Sequence, residues 1–290
     1  MYTPIHTFQD KRFNIHHQHE YDLIISFNED SIRLICMADP HTCLAAETYV
    51  FPNSTPANGP LPQLQSFFQA YPFMANSAWS TVTCIIANPW YTLIPTAFYK
   101  KAFIADYLRL SGDCLQADMR FCDAQIDSHT TVLFAIHKAM RDWLNTTYLP
   151  NQLCITHQTN AIIISVQFYL RVNKLTRTPH VCVVTQGKYM YITVMHHDNL
   201  VYYNSFEYHT GDEWLQYILT VMHTLALNPK ANHVLLTGDI AKNTVIYKKL
   251  RAYIRHLDCM EQPQPFHTKA ARNQTWPSHY FELLNFYCAR

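Results

Sequence analysis

The same order of predicted elements occurs twice along the chain, and this repeat limits the choice of fold more than any other feature. Each half reads as a strand hairpin, a third strand, a helix, a buried strand and a second helix. Apolar runs bounded by turn residues predict the strands of the two meanders over 21–27, 31–37 and 42–51, and over 180–185, 189–195 and 200–208. A repeated order of strands and helices within 290 residues predicts two α/β domains of one fold.

Helix signals follow each meander. In the second half, a capping box begins at Thr210, and an apolar stripe continues to Leu225. In the first half we predict a helix over 96–110, where the segment Thr96–Lys101 echoes Thr244–Lys249 in sequence. The proline-rich segment 53–62 predicts a loop.

The composition excludes several classes of function. Charged residues make up only 15% of the chain and the net charge is +1, so the concentrated positive field that nucleic-acid binding needs is missing. The five glycines are too widely spaced to build a P-loop or a dinucleotide-binding loop. We therefore expect no nucleic-acid partner.

Cysteine usage and the beginning of the chain predict a cytoplasmic protein without a transmembrane segment. The nine cysteines form no CxxC pair, and most lie in apolar runs, which predicts small buried hydrophobes in a reducing compartment. The cluster of His16, His17 and His19 could ligate a metal, but a polar N-terminal segment explains it equally simply, so we predict no metal site.

Three segments carry a resemblance to a known family. They are Trp90–Tyr99 (WYTLIPTAFY), Tyr203–Tyr208 (YNSFEY) and Leu235–Ile240 (LLTGDI). In these segments, and over most of the chain from about Tyr21, the sequence resembles the bacterial domain-of-unknown-function family numbered 3822. That family is similar to the actin-like proteins of pilus assembly and cell division.

The resemblance implies two duplicated ribonuclease-H-like domains of the actin-like ATPase type, with mixed sheets around a central cleft. We place the first domain, with extra helix and strand elements, over 1–177. The second domain covers 178–290, and its C-terminal helix could pack back on the first. The junction falls in 174–179, which contains two threonines, two basic residues and a proline.

In actin-like ATPases two hairpins hold the phosphates, each with an Asp for the magnesium-bound water and a Gly two residues later. In the first hairpin of this chain those positions are Ser26 and Asn28. Glu29 and Asp30 add two carboxylates where phosphate oxygens would lie, and like charges oppose binding there.

The second hairpin departs from the pattern in the same way, because it reads Thr185, Gln186, Gly187 and lacks the Asp. The adenosine motif is reduced to Gly238 and Asp239, where Asp239 could accept a ribose hydroxyl. Both glycines are also explained as ordinary turn residues. Since phosphoryl transfer depends on positioning and charge neutralisation, we predict a degenerate nucleotide site, no catalytic residues and at most weak ATP binding.

The function predicted from the sequence is therefore a non-catalytic, actin-like scaffold or interaction protein. An active actin-like ATPase or a sugar-kinase-like phosphotransferase is the alternative. A nuclease is disfavoured, because the first strand has no carboxylate at its middle. An aromatic, charge-poor face predicts a protein partner or self-association, and 202–208 is the most aromatic segment; alternation leaves half its rings to face outward or to meet a helix.

Overall fold

The computed structural model describes residues 2–51, 60–75, 78–110, 118–240, 242, 244–261 and 278–290. The chain divides into two compact units, Met1–Ala161 and Ile162–Arg290, and each contains a mixed sheet with helices. The predicted α/β class is therefore confirmed. The domain boundary between 177 and 178 stays a prediction, and most of the loop predicted over 53–62 lies outside the described residues.

The first unit is built on a six-stranded sheet with the order β1-β4-β3-β2-β5-β9. Its strands are β1 (His6–Gln9), β2 (Asp22–Phe27), β3 (Ser31–Asp39), β4 (Thr42–Val50), β5 (Thr81–Ile86) and β9 (Leu153–His157). β2, β5 and β9 run parallel, whereas the meander β2-β3-β4 and the added β1 are antiparallel. The predicted meander is confirmed, and β1 is an additional strand that pairs with its outer edge.

Helices cover this sheet because their apolar stripes need a partner surface. α1 (Leu61–Ala70) buries Leu64, Phe67 and Phe68 in the core of the sheet. α3 (Lys138–Thr147) precedes β9, and α4 (Gln158–Val172) follows it; the division between the two units falls within α4. Short 3-10 helices lie at Ile15–Glu20 and Pro72–Ala75.

A second, three-stranded sheet is inserted between β5 and β9. It consists of β6 (Tyr91–Pro95), β7 (Met119–Gln125) and β8 (Thr130–His137) in the order β6-β8-β7. α2 (Ile104–Arg109) packs on it, with Ile104 and Leu108 buried. We call this part of the first unit the inserted sheet.

The prediction of a helix over 96–110 is mostly wrong. Only α2 is helical, and two 3-10 turns, Thr96–Phe98 and Lys101–Phe103, precede it. In one continuous helix Tyr99 and Ile104 would point about 140° apart. The extended backbone at Tyr99 and Lys100 lets both apolar side chains pack against the same sheet. Tertiary packing therefore overrides the helical spacing.

The second unit has a five-stranded sheet with the order β12-β11-β10-β13-β14. Its strands are β10 (His180–Gln186), β11 (Tyr189–His196), β12 (Asn199–Glu207), β13 (His233–Gly238) and β14 (His256–Cys259). Its helices are α5 (Gly211–Thr224), α6 (Val245–Tyr253) and α7 (Phe281–Cys288), and a 3-10 turn at Ser278–Tyr280 precedes α7. The predicted second meander is confirmed.

The capping box predicted at Thr210 is present in full. The Thr210 hydroxyl accepts the Glu213 N–H, and the Glu213 carboxylate accepts the Thr210 N–H. Thr244 caps α6 in a similar way by accepting the Tyr247 N–H. The sequence echo between Thr96–Lys101 and Thr244–Lys249 does not reflect equivalent elements, because the first segment lies in the inserted sheet and the second forms α6.

The cysteines are less uniformly buried than their apolar neighbours predict. Among the described cysteines, half are buried and half are partly exposed; the buried ones are Cys36, Cys43, Cys84 and Cys182. Burial raises the pKa of the Cys36 thiol to about 12. These buried thiols are therefore unreactive packing residues, as predicted.

Candidate functional site

The turn between β2 and β3 is closed by its own side chain. The Asn28 Oδ1 accepts the backbone N–H of Asp30 at 2.9 Å, the N–H of Ser31 at 2.7 Å and the Ser31 hydroxyl at 3.0 Å. Glu29 and Asp30 are exposed beside it. The amides that a phosphate would need in this turn therefore already have an acceptor.

A buried cation lies behind this turn. Arg33, on β3, donates from Nη2 to the Ser26 hydroxyl at 3.1 Å, and both side chains are buried. Ser26 stands where the actin-like pattern has a metal-positioning carboxylate. A guanidinium therefore lies directly beside the Ser26 hydroxyl.

The turn between β10 and β11 is closed by a residue from another strand. Gly187 has a φ of 55°, and its N–H donates to the Asp239 Oδ2 at 2.7 Å. The Tyr208 hydroxyl donates to the Gly187 carbonyl at 2.6 Å. An aspartate oxygen therefore occupies the position on this amide that a phosphate oxygen would take.

Gly238 is required by the close approach of two strands. β10 and β13 pair in parallel, so Thr185 and Gly238 lie side by side at the ends of these strands. Gly238 has a φ of 97°, and a Cβ on it would lie 2.0 Å from the Thr185 carbonyl oxygen. The same approach lets the Thr185 hydroxyl accept the Asp239 N–H at 2.9 Å.

The structure therefore brings Thr185, Gly187, Gly238 and Asp239 together in the second unit, and Ser26 and Asn28 together in the first. Whether these residues contact a nucleotide stays a prediction. Their contacts show only that, in each turn, a side chain of this protein accepts the backbone N–H groups.

Sequence reasoning missed a buried polar run at the junction of β9 and α4. Five consecutive polar residues are each at most 5% exposed; they are Thr156, His157, Gln158, Thr159 and Asn160. The sequence contains a signal for this run, because five polar residues separate an apolar strand from an apolar helix. Buried polar residues need hydrogen-bond partners, which makes such a run informative.

His157 acts as the N-terminal cap of α4. Its Nδ1 accepts the Thr159 N–H at 3.1 Å, so its Nε2 carries the proton and donates to the Asn88 carbonyl at 3.1 Å. Burial lowers the pKa of the imidazole to about 4. His157 is therefore neutral near pH 7, and this tautomer fits both contacts.

The N-terminal histidines lie on an exposed 3-10 helix. His17 and His19 lie 3.4 and 3.5 Å from the same carboxylate oxygen of Glu20. Within the described ranges, no three His, Cys, Asp or Glu side chains are grouped so that they could hold a metal ion.

The aromatic segment 202–208 packs mainly against helix α5. Phe206 stacks on Tyr217 with ring centroids 4.7 Å apart, and Tyr208 packs edge-on against Trp214 at 5.0 Å. Tyr203 is buried. Of the two outcomes predicted for the remaining rings, contact with a helix is the one observed for Phe206 and Tyr208.

The fold defines the class. The chain is similar to a Bacteroides thetaiotaomicron protein with an actin-like ATPase fold and unknown function, with a TM-score of 0.75 and 16% identity over 94% of this chain and 98% of that one. It is also similar to a chain of the PilM–PilN type IV pilus biogenesis complex, with a TM-score of 0.60 and 10% identity over 92% and 97% of the two chains. The protein therefore has the actin-like ATPase fold.

Residues 10–257 match the family described as "Protein of unknown function (DUF3822)", and the chain belongs to this family. The family resemblance predicted from the sequence is thus confirmed. Among curated proteins, none matches the chain.

Within the described residues, every helix is too short or too polar to cross a bilayer.

Proposed function

We propose that this protein is a non-catalytic member of the actin-like fold that works through contacts with other proteins in the cytoplasm. One observation carries the proposal: side chains of the chain itself hold the backbone donors of both turns where active relatives of this fold bind phosphates. Asn28 does so in the first unit, and Asp239 does so in the second.

A bound phosphate would compete with these side chains for the backbone donors of the two turns. A phosphate would have to displace the Asp239 carboxylate from the Gly187 amide, and the displaced charge would remain next to the ligand. In the first unit it would displace Asn28 and then meet the carboxylates of Glu29 and Asp30. Like charges at such short range disfavour binding, and Ser26 and Thr185 are poor substitutes for the missing metal-positioning carboxylates.

The alternative is an active ATPase or a sugar-kinase-like phosphotransferase. The buried polar run 156–160 favours it, because burying polar groups costs free energy unless they form hydrogen bonds or contact a ligand. The hydroxyl of Thr159 and the Oδ1 of Asn160 have no hydrogen-bond partner among the described residues. We rank this alternative second, since Asn160 donates to Thr156 and His157 caps α4, which gives the run a structural role.

A role in protein contacts is supported by the fold and by the charge-poor composition. The PilM–PilN complex of type IV pilus biogenesis includes a chain with this fold, so the fold can serve in an assembly between proteins. Only 15% of residues in the present chain are charged, and protein interfaces are depleted of Lys, Glu and Asp.

Calorimetry with ATP and magnesium tests nucleotide binding, and a phosphate-release assay tests catalysis. We expect no binding tighter than roughly millimolar and no release of phosphate above the blank. A micromolar dissociation constant, or turnover that Gly187→Val abolishes, would overturn the proposal and favour the ATPase. Val201→Ser, at an exposed position on β12, is the control for nonspecific damage.

Size measurement and affinity capture test the second half of the proposal. We expect the full chain to form an oligomer, or to retain a defined protein partner from the lysate of its native source. A strictly monomeric chain that retains nothing above the background of an unrelated tagged protein would contradict it.

A further inference from the structure

Exposed apolar side chains are concentrated on the inserted sheet and its helix. Of the eleven large apolar side chains that are exposed in the described residues, four lie there; they are Phe98, Phe103, Leu110 and Phe121. Scattered exposed apolar residues are ordinary, but a group within one small sheet indicates a contact surface.

The packing of α2 explains why three of these side chains face outward. Ile104 and Leu108 are buried against the sheet, so Phe103 and Leu110, at the two ends of α2, lie outside the core. Phe103 directly precedes the helix and Leu110 directly follows it. Phe98 is held close to the same helix, because the Tyr107 hydroxyl donates to the Phe98 carbonyl at 2.6 Å.

The exposure of these side chains is large. Leu110 is 87% exposed, Phe98 is 69% exposed and Phe103 is 48% exposed. Their apolar surface stays in water after folding, so burying it against an apolar partner would gain about 25 cal/mol per Å² of apolar surface.

Basic side chains lie between the apolar ones. Lys100 and Lys101 are exposed, and neither forms an ion pair with any residue that the structure describes. The single acid between residues 96 and 110, Asp106, is paired with Arg109 at 3.0 Å. We call Phe98, Lys100, Lys101, Phe103 and Leu110 the basic–apolar patch; it carries two lysines that form no ion pair within the part of the chain that the structure describes.

We propose that the basic–apolar patch docks the protein on an anionic lipid surface. The apolar side chains would enter the boundary between headgroups and acyl chains, and the two lysines would meet the negative headgroups. Exposed apolar side chains with two exposed lysines among them match the chemistry of such a surface on both counts. This inference goes beyond the proposed function and uses none of the residues of the two turns.

A bilayer fits the patch better than an acidic peptide does. A peptide binds either as a strand added in register to a sheet edge or as a helix whose regularly spaced side chains enter an apolar groove. Here Phe98 lies in a 3-10 turn, whereas Phe103 and Leu110 lie just before and just after a six-residue helix. A lipid surface requires no such register, because each side chain inserts independently.

Vesicle cosedimentation of the full chain tests the proposal. We expect the chain to sediment with vesicles of phosphatidylcholine and phosphatidylglycerol but not with phosphatidylcholine alone, and added salt to weaken the binding. Lys100→Gln with Lys101→Gln should lower the partition coefficient about 30-fold. Phe98→Ser with Leu110→Ser should lower it at least about tenfold.

Matched variants at other positions show whether vesicle binding depends on the patch or only on overall charge and hydrophobicity. Lys11→Gln with Lys230→Gln removes the same charge from exposed positions, and Val201→Ser removes an exposed apolar side chain. We expect each to change partition by less than about twofold. Circular dichroism should show that all variants fold.

Two results would overturn the proposal. One is a folded wild-type chain that does not bind anionic vesicles, or whose binding the control variants weaken as much as the patch variants do. The other is a chain that ignores vesicles but binds a soluble acidic peptide through Lys100 and Phe98, which would assign the patch to a protein partner. Neither result bears on ATP binding, so the two proposals fail separately.

Discussion

The carboxylate of Asp239 accepts the backbone N–H of Gly187 at 2.7 Å, although 52 residues separate them in sequence. The contact joins the turn after β10 to the end of β13. Because the Asp239 N–H in turn donates to the Thr185 hydroxyl, the two strand ends are linked in both directions. The contact gives the amide of this turn an acceptor within the chain itself.

Two replacements of Asp239 distinguish the contribution of its charge to stability from that of its hydrogen bond. Asp239→Ala removes the acceptor of the Gly187 N–H and should lower the free energy of unfolding by about 1 kcal/mol. Asp239→Asn keeps a carbonyl oxygen and should cost less than half as much. Urea unfolding of the three proteins measures the difference. Equal losses for both variants would mean that charge, and not the hydrogen bond, stabilises the turn.

Two glycines in the same region should respond very differently to a methyl group. Gly238→Ala should destabilise by at least about 3 kcal/mol, because its Cβ would lie 2.0 Å from a backbone oxygen and its φ is 97°. Gly187→Ala should cost only about 1 kcal/mol, since its φ of 55° is strained but no atom lies within 4 Å of the Cβ. Thermal unfolding of both variants checks the ranking, and a reversed order would contradict the parallel pairing of β10 and β13 near Thr185.

Asn28 should matter for the first turn through its side-chain oxygen. Asn28→Ala removes an acceptor of three hydrogen bonds and should destabilise by about 1–2 kcal/mol. Asn28→Asp retains the acceptor but adds a third carboxylate beside Glu29 and Asp30, so it should lose some stability at neutral pH but less than the Ala variant. If chemical denaturation finds the Ala variant as stable as wild type, the turn does not depend on this side chain.

Stability should fall in acid because of His157. Its pKa is about 4 in the folded protein and about 6.5 when unfolded, so below pH 6.5 the unfolded chain binds the extra proton. The free energy of unfolding should therefore fall by about 3 kcal/mol between pH 6.5 and pH 4. The lowered pKa of His180, which is due mainly to burial, acts in the same direction.

His157→Asn isolates this contribution. Asparagine can still cap α4 but does not titrate, so the variant should lose less stability over the same pH range. His41→Asn, at an exposed histidine, is the control and should follow wild type. Urea titrations at successive pH values give the slopes, and parallel slopes for wild type and His157→Asn would rule out His157 as the source.

The strands and the cap of α5 could be predicted from the sequence because their causes are local. Alternation of apolar residues sets a strand, and Thr210 with Glu213 caps a helix within one turn. The segment 96–110 was predicted incorrectly because its conformation depends on packing against a sheet whose other strands come later in the chain. The edge strand β1 escaped prediction, since four mostly exposed residues carry no periodic signal.

For the candidate site, the sequence by itself determined the chemical groups at the two turns, and the resemblance predicts that Ser26, Asn28 and Thr185 stand where the actin-like pattern has Asp, Gly and Asp. Only the tertiary structure decided what those turns do instead. The contact of Asp239 with Gly187, and that of Arg33 with Ser26, join residues on different strands. Such contacts depend on strand pairing and register, which the periodicity of a single segment does not specify.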